Sequence, residues 1–124
     1  MVFNALCSNV DDHPRKHAWF VARQGLAITP VFDVVPTQVR FREYLLALAC
    51  GRYGRQATLA NVLSNPEPFG LSTGEAENAV ESMLSVMSRS RDHFAACGVA
   101  EKDIYELEYR FAQVDEKFPA HSPF

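Results

Sequence analysis

The chain has 124 residues, 48% of them hydrophobic and 22% charged, with a net charge of -3. That length fits one domain, 1–124, around one core, and the composition excludes wholesale disorder. The net charge is too weak to favour nucleic acid or an acidic membrane as a partner on electrostatic grounds alone, and no apolar run approaches the roughly 20 residues of a membrane-spanning helix; with three cysteines read as reduced thiols, a cytoplasmic protein is expected.

In chain order, residues 1–8 read as the end of a buried helix, with Val2, Phe3 and Leu6 at helical spacing. The stretch MVFNALCSNVDD has no basic leader and too short an apolar run for a signal peptide. Asn9 to His17 is a polar loop in which Pro14 forbids a regular helix. Ala18–Ala22 and Leu26–Thr29 are short apolar runs on either side of Arg23-Gln24-Gly25, a hairpin signal. Pro30 and Pro36 bracket Val31 to Val35 and make that segment extended and irregular. Val39 to Cys50 is ambiguous, because Leu45–Ala49 suits a short strand or a helix equally. Gly51-Arg52-Tyr53-Gly54 is a turn. Thr58 caps a helix over Leu59–Ser64, with Leu59, Val62 and Leu63 on one face, and Pro66 and Pro68 end it.

The second half carries stronger signals. Ser72-Thr73-Gly74-Glu75 is a capping box, with a hydroxyl for the free amides and a Glu three residues on that reaches back. Ala76, Ala79, Val80, Met83, Leu84, Met87 and Phe94 then trace a helical stripe, so one helix is expected from about Thr73 to Cys97, stopped by Gly98. Ile104, Leu107, Phe111 and Val114 mark another, roughly Glu101 to Val114. The tail KFPAHSPF is expected to be loosely held. The fold class is mainly α (α+β): a helical C-terminal lobe with a short antiparallel hairpin near its start. Cys7, Cys50 and Cys97 are odd in number and widely spaced, with no CxxC pair, and read as reduced thiols.

Two acidic segments raise a chemical question. In DDHPRKH, His13 and His17 stand four apart beside Asp11 and Asp12, as in a helical metal site, but Pro14 breaks the helix that would align the rings. A solvated polar loop is the plainer reading. Asp33 weakens it, because a carboxylate within PVFDVVP is costly to bury without a cation, a metal or backbone amides; a turn-capping Asp is the alternative. Two Asp-bearing loops joined by a short hairpin is also the layout of a kinase catalytic centre. There one Asp orients the substrate hydroxyl, a polar side chain five residues later holds magnesium, and an Asp beyond the hairpin holds magnesium against the nucleotide phosphates. Asp11, position 16 and Asp33 fit that spacing.

The strings NVDDHPRKHAWF and LAITPVFDVVPT resemble the catalytic core of HipA-like serine/threonine kinases, whose pattern runs approximately N-x-D-D-H-x-x-N-x-x-F and then L-[ST]-P-x-[FY]-D. LALACGRYGRQATLANVLS is similar to the family's short strand, Gly-rich turn and following helix, and FGLSTGEAENAV through CGVAEKDIYEL to its final helices. Carried over, the resemblance implies that Asp11 is the catalytic Asp and that His13 is the motif His, with a structural and hydrogen-bonding part. It makes Asp33 the residue that binds magnesium and, through it, the nucleotide. It implies ATP and magnesium as cofactors, phosphoryl transfer to a protein serine or threonine, and a toxin role beside a DNA-binding antitoxin.

The sequence departs from the pattern in three places. Lys16 stands where the family has its magnesium-binding Asn, and an ammonium has three donors and no lone pair; it can instead pair with Asp11 or Asp33 and take the metal's place electrostatically. Pro66 and Pro68 interrupt a helix that the family tends to continue. The chain also begins at the catalytic loop, with no Gly-rich phosphate loop, so the kinase N-terminal lobe is expected to be absent. Two functions therefore compete. One is a kinase C-terminal lobe, inactive alone; the other is a non-catalytic relic lobe that binds a protein. The expected partner is a complementary kinase lobe or an antitoxin-like regulator, with no direct nucleic acid and a possible homo-oligomer. Truncation is expected to expose apolar surface on the first helix and on Tyr44–Ala49.

Overall fold

A computed structural model of the chain describes residues 1–37 and 44–111, the last three as backbone. The described residues form α1 (Val2–Leu6), a hairpin of β1 (Trp19–Ala22) and β2 (Gly25–Ile28), α2 (Leu59–Leu63), α3 (Thr73–Met87), α4 (Ser90–Ala96) and α5 (Glu101–Phe111). The architecture is mainly helical with one two-stranded antiparallel sheet, as the periodicities indicate. Expectations for residues 38–43, for Val114 and for the KFPAHSPF tail lie outside the described residues.

The core is assembled from short pieces. Ala5, Leu6 and Cys7 at the end of α1 pack with Tyr44, Leu46, Cys50, Ala57, Val62, Val80 and Met87. Met83, Leu84, Phe94 and Leu107 close over them. The three cysteines are free thiols, two of them buried. The apolar stripe of α3 is what joins the N-terminal and C-terminal elements, since Ala76, Val80 and Met87 recur at helical spacing on its buried face.

A helix of five residues cannot hold itself together in water, so α1 and α2 depend on their ends. Ser8 follows α1 in the left-handed region at φ 58, and the Asn9 amide reaches back to the Asn4 carbonyl. The Tyr44 hydroxyl donates to the freed Ala5 carbonyl. At α2 the Thr58 hydroxyl accepts from the Asn61 amide, as expected of a cap. The capping box on α3 is complete: Ser72 accepts from the Glu75 amide while the Glu75 carboxylate takes the Ser72 amide. The Ser72 hydroxyl, which also donates to this carboxylate, and then the Ser72 amide hold the Glu75 carboxyl below its ordinary range.

The single helix expected over Thr73–Cys97 is instead two. α3 ends at Met87, and Arg89 takes a non-helical conformation (φ -100, ψ 11) before α4 begins. The cause is local: the Ser88 hydroxyl and the Arg89 guanidinium both donate to the Ser85 carbonyl. Side chains thereby compete for a carbonyl that a continuing helix would need. α4 then ends where Gly98 supplies φ 77, with Val99 bonded to the Phe94 carbonyl and Gly98 to that of Ala95. Arg91 on α4 grips Glu101 and Glu108 of α5.

In the hairpin, Trp19 faces Ile28 and Ala22 faces Gly25, leaving Arg23-Gln24 as the two-residue loop. Every residue of both strands is exposed, Val21 to 87%. The apolar surface expected on α1 and Tyr44–Ala49 is exposed in part, and the hairpin adds to it. The buried side of α1, together with Tyr44 and Leu46, is covered within the chain, although Phe3, Leu45 and Leu48 remain open. Among the described residues the longest series of exposed large apolar side chains is Trp19, Phe20, Val21, Leu26 and Ile28, continuing through Val31, Phe32 and Val35.

Candidate active site

Three backbone devices bring the two acidic loops together. Ser8, turned left-handed after α1, directs its carbonyl to the Thr37 amide at 3.0 Å, which pins the segment after Asp33 beside the segment before Asp11. Pro14 opens a single 3-10 turn, Pro14–Lys16, where its fixed φ and missing N–H cost nothing. That turn sends the Lys16 side chain back toward Asp11. Asp33 itself sits at φ 54, a left-handed conformation that Asp tolerates better than most side chains.

The outcome is a charged trio. The Lys16 ammonium lies 2.9 Å from Asp11 Oδ2 and 3.0 Å from Asp33 Oδ2. Its side chain is only 10% exposed, whereas those of Asp11 and Asp33 are 68% and 55% exposed. The stem is covered and the ammonium is wedged between the two carboxylates, whose outer sides face water. The Lys16 hydrogen bond, and then its charge, hold the Asp11 carboxyl below its ordinary range. Hydrogen bonds to Asp11 and Asp33 raise Lys16.

A second network carries the loop and was not read from the sequence. Asn9 Nδ2 donates to Asn4 Oδ1 at 3.1 Å, and Asn4 Nδ2 donates to Asp12 Oδ2. His17 Nε2 lies 2.9 Å from Asp12 Oδ1. Asn4 and Asn9 are buried, so this chain of amides anchors the DDHPRKH loop to α1 from beneath. Asp12 and His17 are held in it, while Asp11 is directed to Lys16. His13 stands at the start of the 3-10 turn, and its Nδ1 is buried without a hydrogen-bond partner among the described residues. A cavity of about 940 Å³ lies nearby between α1, Val34–Pro36 and the α3–α5 helices, but Asp11, Lys16 and Asp33 are not in its wall.

The family model for the HipA-like C-terminal domain matches residues 1–91. The chain belongs to the HipA-like C-terminal domain family. No curated protein and no solved structure matches it. The matched span takes in both acidic loops, the hairpin, α2 and α3 of this HipA-like domain.

The resemblance implies magnesium on Asp33; at the point between Asp33 and Asp11 in this HipA-like site, such an ion does not fit beside Lys16. Magnesium demands oxygen ligands in near-octahedral array. The facing oxygens of Asp11 and Asp33 are already taken by an ammonium that offers donors only. Among the described residues no three His, Cys, Asp or Glu side chains are grouped to hold a metal ion. No helix of the described residues is long and apolar enough to cross a membrane.

The trio has a defined pH window. Asp11 is depressed on folding, so its contribution is present above its ordinary value of 3.8 and is lost as pH falls through the lower folded value. Lys16 is raised, so its contribution is present below its ordinary value of 10.5 and is lost as pH rises through the higher folded value. Thermal melts of wild type and Lys16→Met are expected to differ most between about pH 4 and pH 10 and to converge at both extremes. A difference that persists unchanged at both extremes would show that Lys16 acts by packing alone.

Proposed function

We propose that this chain is the C-terminal lobe of a HipA-like, toxin-type protein serine/threonine kinase, and that alone it transfers no phosphate. The observation that carries the reading is the convergence of Asp11 and Asp33, from loops on either side of the hairpin, on the single Lys16 ammonium. Two aspartates so placed are the pair that phosphoryl transfer to a hydroxyl uses. In this reading Asp11 stands where the substrate hydroxyl is oriented, and Asp33 stands where the nucleotide phosphates are met. His13 shapes the loop between them. The Lys16 contact supports inactivity, because a carboxylate whose proton affinity is lowered by a bound cation is a weak acceptor for the hydroxyl proton.

Calorimetry tests this. The chain, titrated with ATP in the presence of magnesium, is expected to show no binding at millimolar nucleotide. Binding that Asp33→Ala abolishes, together with phosphate transfer to a protein hydroxyl, would overturn it.

A second reading, a non-catalytic lobe that captures a protein, is favoured by the open apolar run from Trp19 to Val35. A complementary kinase lobe or an antitoxin-like regulator would cover that surface, as would a second copy of the chain. Sedimentation is expected to show association as concentration rises; a strict monomer throughout would count against capture by self-pairing.

A further inference from the structure

We infer that Lys16 is a resident cation that closes a latent divalent-metal site between Asp11 and Asp33. The inference rests on reading this site as the kinase-like centre, and it concerns what the site binds rather than what it catalyses. Four observations carry it. The two carboxylates come from loops separated by a whole hairpin, yet each directs its Oδ2 at one point, 2.9 and 3.0 Å from the same nitrogen. Like charges brought that close repel, and a cation at that point offsets the repulsion. The backbone at Asp33 is left-handed at φ 54, a conformation that an Asp accepts at modest cost. The cation is supplied by the chain, with its stem covered and its ammonium fixed by two hydrogen bonds.

A dication cannot share this point with Lys16. It would need the two facing oxygens that the ammonium occupies, and it would stand within contact distance of a positive charge with no lone pair to offer. Removing the ammonium while keeping the loops leaves two carboxylate oxygens facing a shared centre. An amide oxygen at position 16 adds a third ligand of the kind that hard cations prefer. Arginine retains the charge and keeps the point closed.

The test uses manganese alone as the probe, followed by water-proton relaxation and calorimetry on the full chain, with circular dichroism to confirm folding. Wild type and Lys16→Arg are expected to show no Asp33-dependent binding. Lys16→Asn and Lys16→Gln are expected to bind at least about tenfold more tightly than wild type. Adding Asp33→Ala to either is expected to abolish the gain, and manganese is expected to raise the melting temperature of Lys16→Asn but not of wild type. Asp33-dependent manganese binding by wild type would overturn the inference, and that arm stands even if a variant does not fold. A folded Lys16→Asn or Lys16→Gln that binds no better than wild type would overturn it equally. Phosphate transfer by wild type would instead sink the functional reading and leave these metal results to be judged on their own.

Discussion

Gly51→Ala is expected to leave no stably folded chain at 25 °C. A Cβ at this position would fall 1.8 Å from the Asn61 carbonyl oxygen, 2.5 Å from Asn61 Oδ1 and 2.6 Å from Ser64 Oγ. Real Cβ atoms do not approach so closely, and the nearest atom belongs to the backbone of α2, which cannot swing aside. The approach is itself required by the bonds around it. The Arg52 amide donates to Ser64 Oγ at 2.8 Å, and the Arg52 guanidinium donates to the Ser64 carbonyl at the end of α2. The turn therefore serves as the C-terminal cap of a five-residue helix that has little else to hold it. Forcing the two apart breaks the cap and opens the core at Cys50, Ala57 and Val62 together. A cost above about 4 kcal/mol follows, a large share of the roughly 5–15 kcal/mol by which domains are stable. Urea denaturation followed by circular dichroism reads it directly. A variant within about 1 kcal/mol of wild type would mean that the turn does not sit on α2 as described.

Asn61→Ala is expected to cost about 3 kcal/mol, and Asn61→Asp more. The Asn61 side chain is fully buried and ties four groups of the preceding turn. Its Nδ2 donates to the Gly54 carbonyl at 3.0 Å and the Gln56 carbonyl at 2.8 Å and contacts Cys50 Sγ, while its Oδ1 accepts from the Tyr53 amide at 2.8 Å. Alanine leaves the Tyr53 amide without its partner, at about 1–3 kcal/mol, and removes one bond each, at about 1 kcal/mol, from the Gly54 and Gln56 carbonyls, which keep the Cys50 and Thr58 amides. Aspartate keeps the acceptor for Tyr53 but loses both donors and buries a charge against carbonyl oxygens. The order wild type, Ala, Asp in urea midpoints is the discriminating result. Equal midpoints for Asn and Asp would show that only the Tyr53 bond matters.

How far the molecule is legible from its sequence depends on the range of the interaction. The hairpin, the turn at Gly51–Gly54, the Thr58 cap and the box at Ser72 were legible, because each is written within four residues. The break after Met87 was not, because the apolar stripe continues across it and only the donation from Ser88 and Arg89 to one carbonyl ends the helix. At the candidate site, the meeting of Lys16 with Asp11 and Asp33 was legible from the family spacing and from the chemistry of an ammonium. The Asn9–Asn4–Asp12–His17 chain was not. Its members are polar residues on a short helix and an aperiodic loop, and nothing in their spacing distinguishes a buried amide from a solvated one. A signal did exist in Asn4 itself, an amide placed among Val2, Phe3, Ala5 and Leu6 where burial demands a partner. Asn61 escaped for the same reason, reading as an ordinary polar position on a helix.

The open hairpin also equips the chain with its own optical reporter. Trp19 is the single tryptophan, and it sits on β1 at 57% exposure, away from the core cluster. Its emission therefore records the water around the hairpin and is nearly silent about the interior. Unfolding followed by this fluorophore shows a small amplitude even when the helices melt completely, whereas anything that settles over β1 and β2 displaces water from the indole and shifts its emission to the blue. One spectrum thus separates loss of the fold from coverage of this face, with no label attached.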